Sequence, residues 1–215
     1  MSKSAAIVGA TGLVGSFLLE QLLADERYEK VWVYARSEST REHEKLQWIT
    51  GDLTKDSTFG TGISAEDVFC AIGTTQAKAP DLTHYKNVDY GIPLRTATYG
   101  LKGQMKRMLV VSALGANAKS KMFYPRIKGQ MEEALQTMAI PQLHIFRPSF
   151  ILGPRQEFRL GENIGKFLVI ALKPLVPKKY RGLEAEHIAM AMIKAANEPG
   201  HSVVLETQDI AKLSQ

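Results

Sequence analysis

Ala5-Ala6-Ile7-Val8-Gly9-Ala10-Thr11-Gly12-Leu13-Val14-Gly15 is the stretch on which the fold turns. Its first four residues are a short apolar run that ends on glycine. From Leu13 to Ala24, the residues Leu13, Val14, Phe17, Leu18, Leu22 and Leu23 recur at helical spacing. Gly9, Gly12 and Gly15 therefore fall between a strand and a helix. That context separates a functional glycine turn from a merely glycine-rich one. The chain must turn sharply, its backbone N–H groups must be approachable by an anion, and the helix must sit tight against the strand. The helix N-terminus adds partial positive charge at the same place.

Working outward, strand and helix signals alternate. Val31 to Ala35, Leu46 to Ile49, Asp67 to Ile72, Arg107 to Val111 and Gln142 to Phe146 read as further strands. His84 to Leu101 reads as a helix that Gly91 and Pro93 should bend or divide, and Ile127 to Met138 as an amphipathic helix. Strands this apolar, separated by helices, imply a parallel sheet covered on both faces. The expected architecture is α/β: a Rossmann-type, doubly wound parallel sheet with a small C-terminal cap region. One NAD(P)-binding domain is expected over residues 1–215. Residues 149–182, broken by glycine or proline at 153, 154, 161, 165, 174 and 177, form the substrate-side cap, with one short helix around Glu162 to Leu172. Ala185 to Asn197 should be the final helix and His201 to Leu205 a last strand.

The glycine turn predicts a dinucleotide pyrophosphate held by Gly9, Thr11, Gly12, Leu13, Val14 and Gly15. The end of the second strand selects the dinucleotide. An NAD enzyme usually places an acidic residue there, about 20 residues past the glycines, for the ribose 2′-hydroxyl. Here Arg36 stands twenty-one residues after Gly15 and is followed by Ser37. A carboxylate would repel a 2′-phosphate, whereas a guanidinium grips it with paired hydrogen bonds. NADP(H) is therefore the expected cofactor. After the third strand come Asp52 and Leu53, with Asp52 serving either the adenine amino group or a plain Gly51-Asp52 turn. Ala71 and Gly73 leave the fourth strand at the ligand edge, where Gly73 would let the backbone approach the ribose. Cys70 on that strand reads as a small buried hydrophobe.

Ser112 directly follows the fifth strand. Tyr124 comes twelve residues later and Lys128 four after that; none of the other tyrosines has a lysine at that interval. One helical turn lets Tyr124 and Lys128 share a face. The arrangement suits carbonyl reduction: the tyrosine gives a proton to the oxygen as hydride arrives, and the ammonium eases that exchange near neutrality. Ser112 would help hold the substrate oxygen, and Lys128 would also bind the nicotinamide ribose. Pro125 biases Tyr124 away from helical angles and towards the helix cap.

Composition narrows the alternatives. Hydrophobic residues make up 45% and charged residues 23%, ordinary globular values. No apolar run is longer than six residues, as in Phe167 to Leu172, far short of the about 20 residues a membrane span needs, so no membrane is expected. The net charge of +5 is scattered, Lys178-Lys179-Tyr180-Arg181 being the nearest to a basic run, so no nucleic acid is expected. Five dispersed histidines give no metal-ligand spacing, and no metal is expected. One cysteine and no N-terminal signal imply a cytoplasmic protein. The helices at 84–101 and 127–138 offer a face on which a homodimer could form.

The chain resembles the atypical short-chain dehydrogenase/reductases, and within them the Tat-interacting protein (CC3)-like family of NADPH-binding proteins. The resemblance runs from about Ala5 to Asn197. It is carried by CAIGTTQAKA (70–79), VSALGANAKSKMFYPRIKGQMEE (111–133) and FRPSFILGPRQEFRLGE (146–162). It implies an NADPH-binding fold with Ser112, Tyr124 and Lys128 at catalytic positions. It also implies that Pro148 to Ile151 runs along the nicotinamide half of the cofactor. Two functions stay open: an NADPH-dependent oxidoreductase acting on a small-molecule carbonyl substrate, and an NADPH-sensing binding protein without significant turnover. For the oxidoreductase, Phe158 and Phe167 are candidate pocket walls, and Arg155 and Arg159 candidate anion contacts. A nucleotide-sugar epimerase is disfavoured by the short stretch left after the sixth strand.

Overall fold

A computed structural model describes residues 2–74, 81–153 and 181–215. In chain order the elements are β1 (Lys3–Val8), α1 (Leu13–Ala24), β2 (Tyr28–Ala35), β3 (Leu46–Thr50), a 3₁₀ turn (Asp56–Phe59) and β4 (Asp67–Cys70). A helical rod follows, made of α2 (Leu82–Lys86), a π segment (Asn87–Gly91) and α3 (Ile92–Lys102). Then come β5 (Arg107–Val111), α4 (Phe123–Thr137), β6 (Gln142–Arg147), β7 (Ile151–Leu152), β8 (Leu183–Glu184), α5 (Ala185–Asn197), β9 (Val203–Glu206) and α6 (Thr207–Leu213).

Seven strands form one sheet in the order β3-β2-β1-β4-β5-β6-β9, every neighbouring pair parallel. The order reverses between β1 and β4, and this switch point is where a doubly wound sheet binds its ligand. β7 and β8 pair separately as a two-stranded parallel ribbon. Alternation along β1 shows how both faces are filled. Ala5 and Ile7 pack with α1, α5 and Ile210 of α6, whereas Ala6 and Val8 pack with α3 and α4. Leu18 and Leu22 are fully buried on α1, each worth about 1.5–3 kcal/mol of apolar transfer.

The expected division at Gly91 and Pro93 takes a subtler form. The rod is continuous, and the N–H of Ile92 reaches back five residues to the carbonyl of Asn87. The widened turn lets Pro93, which has no N–H to offer, enter without breaking the helix. Further elements differ from expectation: β2 begins at Tyr28, three residues early, and the β7–β8 ribbon was not foreseen. α4 begins four residues earlier than the apolar periodicity suggests, and α6, which the sequence reading lacked, closes the chain on a reciprocal Glu206–Asp209 capping box. The short helix expected around Glu162 to Leu172 lies outside the described residues.

Candidate active site

Because the strands are parallel, their carboxyl ends share one edge, and each group of expected residues follows a strand. Gly9 follows β1, Arg36 follows β2, Asp52 comes two residues after β3, Ala71 follows β4, Ser112 follows β5 and Pro148 follows β6. Gly9 has φ +98°, and a Cβ there would stand 2.8 Å from the carbonyl carbon of Ala71. Gly9 thus makes the turn and lets it press on the β4 exit. A Cβ on Gly15 would lie 2.0 Å from the Gly9 oxygen, so Gly15 sets how closely α1 approaches β1. At Gly12 a Cβ would meet, among the described residues, only Gly9 O at 3.1 Å and Ala71 O at 3.7 Å.

Gly12 is the N-cap of α1, which has no side-chain cap and no acidic residue in its first turn. The first-turn amides of Leu13, Val14 and Gly15 consequently present their partial positive charge to the opening beside exposed Thr11. A pyrophosphate fits this cradle. The segment after β6 closes its other side: a Cβ on Gly153 would stand 2.7 Å from a Leu13 methyl, and the N–H of Leu114 donates to Pro148 O at 2.9 Å. Ile151 lies in this same segment, paired with Leu183.

Arg36 is exposed and makes no ion pair among the described residues. The carbonyl of its neighbour Ser37 accepts from the indole N–H of Trp48 at 2.8 Å, which fixes the turn out of β2. Asp52 caps its own turn: Oδ1 accepts from the N–H of Thr54 at 2.9 Å and from its hydroxyl at 2.7 Å. The side chain of Leu53 is buried in the core on the α3/α4 side. Gly73 lies at the β4 exit next to Thr74, whose N–H donates to Asp89 Oδ2 at 2.8 Å.

Tyr124 is the second residue of α4, inside the first turn and not at its cap, which is Met122. Pro125 occupies the third position, where the missing N–H costs no intrahelical bond. Its carbonyl accepts from Asn117 N–H at 2.9 Å. Tyr85, buried, meets the rings of Phe123 and Tyr124 edge-on at centroid distances of 5.3 and 6.3 Å. Tyr124 is half-buried, and its hydroxyl has no hydrogen-bond partner among the described residues.

The other two members of the trio face inward. Ser112 is 1% exposed and its hydroxyl donates to Glu132. Glu132, itself 3% exposed, is gripped by Arg147, whose Nε lies 3.0 and 3.1 Å from its two oxygens. Lys128, with a side chain 1% exposed, pairs at 3.0 Å with the fully buried Asp89 of the π segment, and its Nζ reaches Val111 O at 3.4 Å. Cys70, near Thr96 and Lys128, is fully enclosed, and burial pushes its thiol up to about 11, so it is no nucleophile at neutral pH.

The HIM1 family profile matches residues 41–170, and that of the male sterility protein family matches residues 7–61. Protein HTATIP2 of Rattus norvegicus is 32% identical over 169 residues, 77% of this chain and 69% of its own. The chain belongs to the atypical short-chain dehydrogenase/reductase family related to HTATIP2. This is an oxidoreductase-type family on an NAD(P)-binding fold. Protein FMP52, mitochondrial, of Debaryomyces hansenii is 31% identical and covers 91% of this chain and 88% of its own length. Among solved structures, ADP-L-glycero-D-manno-heptose-6-epimerase of Helicobacter pylori superposes with a TM-score of 0.71 at 16% identity, covering 99% of this chain and 81% of that one. The Bordetella bronchiseptica enzyme WbmH, in complex with NAD+, gives a TM-score of 0.70 at 18% identity over 96% of this chain and 75% of its own. Both show the same fold.

The fungal relatives correct one expectation. Several are named as mitochondrial proteins, against the cytoplasmic location expected here. A single cysteine rules out an intramolecular disulfide, but it does not tell one compartment from another.

Asp89, Glu132 and Arg147 escaped the sequence reading. Glu132 carried a signal, standing four residues after Lys128 on one helix face. Asp89 carried a fainter one, as a lone carboxylate between Tyr85 and Ile92 on the buried stripe of the rod. Phe158, Phe167, Arg155 and Arg159 lie outside the described residues.

Proposed function

We propose that this chain is an NADPH-dependent reductase of a small-molecule carbonyl compound. The observation that carries the reading is Tyr124: a half-buried hydroxyl at the ligand edge, without a partner among the described residues, one helical turn before Lys128. The cradle of Gly9 to Gly15 holds the pyrophosphate, Arg36 and Ser37 hold the 2′-phosphate, and Ala71, Gly73, Pro148 and Ile151 line the path towards the nicotinamide. Bound NADPH supplies the hydride that reduces the carbonyl carbon. Tyr124 gives its proton to the carbonyl oxygen, completing the alcohol, and is reprotonated from solvent. Lys128 places positive charge behind that transfer. The Ser112 hydroxyl spends its hydrogen bond on Glu132, so Ser112 braces β5 against α4 and Tyr124 is the proton donor.

The commitments of Ser112 to Glu132 and of Lys128 to Asp89 also favour a second reading, a protein that binds NADPH and signals its presence without turnover. The deciding measurement is NADPH oxidation by the purified protein over a panel of aldehydes, ketones and quinones, with Tyr124→Phe alongside. A reductase loses at least about 100-fold in turnover in the variant while its NADPH affinity holds. Tight NADPH binding with no turnover across the panel favours the sensor.

A further inference from the structure

Asp89 uses both carboxylate oxygens, and each reaches a different part of the candidate site. Oδ1 pairs with Lys128 on α4 at 3.0 Å, and Oδ2 accepts from the backbone N–H of Thr74, directly after Gly73, at 2.8 Å. The carboxylate is fully buried and its lysine nearly so. A buried ion pair loses so much hydration that it is weak evidence for stability alone, and well-packed apolar residues would often serve as well. Asp89 sits in the π segment, a local widening of a helix of the kind that often marks functional positions. It joins the β4 exit and the Tyr124 helix, two elements with no backbone hydrogen bond between them among the described residues.

We infer that Asp89 is a positioning residue that holds Lys128 and the Ala71–Thr74 turn in register for the nicotinamide half of the cofactor. The inference rests on reading this site as a nicotinamide dinucleotide site. Among the described residues Asp89 has its ion-pair and hydrogen-bond partners in Lys128 and Thr74 and none in the glycine cradle or at Arg36, so its influence is confined to one half of the ligand. The adenine half, anchored at β1 and β2, does not depend on it.

Confinement gives the test. Asp89→Asn keeps an acceptor for Thr74 but removes the carboxylate charge that faces Lys128. Binding of NADPH and of adenosine 2′,5′-bisphosphate, which carries the adenine half alone, is measured by calorimetry for the unsubstituted protein, Asp89→Asn, Lys128→Met and the double variant. Asp89→Asn should weaken NADPH about tenfold and leave the bisphosphate within about twofold. In the Lys128→Met background, Asp89→Asn should cost at most about twofold more, because the two residues act as one unit. The double variant removes both charges together, so it folds even where the single variant is unstable. Equal loss of both ligands, no loss of NADPH, or multiplicative effects in the double variant would each overturn the inference. Unsubstituted protein that binds the bisphosphate but not NADPH would also overturn it, and its failure to bind either ligand would remove the site reading beneath it.

Discussion

Alanine at Gly15 and alanine at Gly12 should separate the two duties of the glycine turn. A methyl on Gly15 would fall 2.0 Å from the Gly9 carbonyl oxygen, 2.7 Å from its carbon and 2.9 Å from Ala10 Cα. These are backbone atoms and cannot rotate away, so the start of α1 must retreat from β1. Overpacking of this kind costs about 3 kcal/mol, at the upper end of its usual range, because no flexible side chain yields. Replacing a helical glycine returns about 1 kcal/mol of backbone entropy. The net loss of about 2 kcal/mol corresponds to a fall of about 4–8 °C in Tm for a chain of this size. A methyl on Gly12 meets, among the described residues, only the Gly9 oxygen at 3.1 Å and the Ala71 oxygen at 3.7 Å, so Tm should shift by no more than about 2 °C. That methyl would nevertheless stand in the path of a phosphate. Both variants should lose more than about tenfold in NADPH affinity, the first because the amides withdraw and the second because the way to them is blocked. Differential scanning calorimetry and NADPH fluorescence titration read the two effects separately. If Gly12→Ala bound NADPH with unchanged affinity, the cradle assignment would be wrong. If Gly15→Ala melted with the unsubstituted protein, the helix–strand contact would not be the constraint described here.

Three further outcomes follow from the same geometry. Arg36→Asp should lower the NADPH-to-NADH affinity ratio by at least about tenfold, since charge-assisted hydrogen bonds contribute about 1.5–3 kcal/mol each; an unchanged ratio in titrations with both cofactors would sink the 2′-phosphate assignment. Ser112→Ala should lower stability by about 1.5–3 kcal/mol in urea denaturation, because it strips a buried carboxylate of a donor, while leaving NADPH affinity intact. A Ser112→Ala protein that melted normally but lost turnover would instead place the hydroxyl on the substrate. His144 on β6 is buried, with neither ring nitrogen partnered among the described residues. Burial chiefly, and then the neighbouring Arg107, hold its pKa below the usual 6.5 against the opposing pull of Asp67. The folded chain therefore keeps His144 neutral while the unfolded chain protonates it. Its share of stability is complete above pH 6.5 and is lost as pH falls below that value, by at most about 1.4 kcal/mol per unit. Denaturation from pH 7.5 to pH 5 should show this slope, and His144→Phe should flatten it; an equal slope in the variant refutes the assignment.

What the chain disclosed in advance is what local chemistry determines. The glycine turn, the strand ends and the helix faces depend on residues close together in the chain, so the places of Gly9 to Gly15 between β1 and α1, of Arg36 after β2, and of Tyr124 and Lys128 on one helix were legible. Periodicity located the start of α4 less well, because Phe123-Tyr124-Pro125 belongs to a first turn whose N–H groups have no intrahelical partner, and a proline there leaves no trace in the pattern. The rod from 82 to 102 was legible as a helix, but its π turn was not, since glycine and proline signal a break without saying how the backbone absorbs it. Least visible were the pairings that complete the site. Asp89 lies thirty-nine residues before Lys128, and Glu132 twenty after Ser112. Spacing along a helix tells which side chains share a face, not which carboxylate another element brings to that face. These hidden pairings also alter the chemistry. A trio read from sequence suggests three groups turned to the substrate, whereas the structure turns one outward and ties the other two to buried acids. The proposed reaction then takes its proton from Tyr124, with Asp89 and Glu132 as the buried partners of the groups behind it. Losing the acid beside Lys128 should therefore act through ligand geometry, and losing Tyr124 through the chemical step alone.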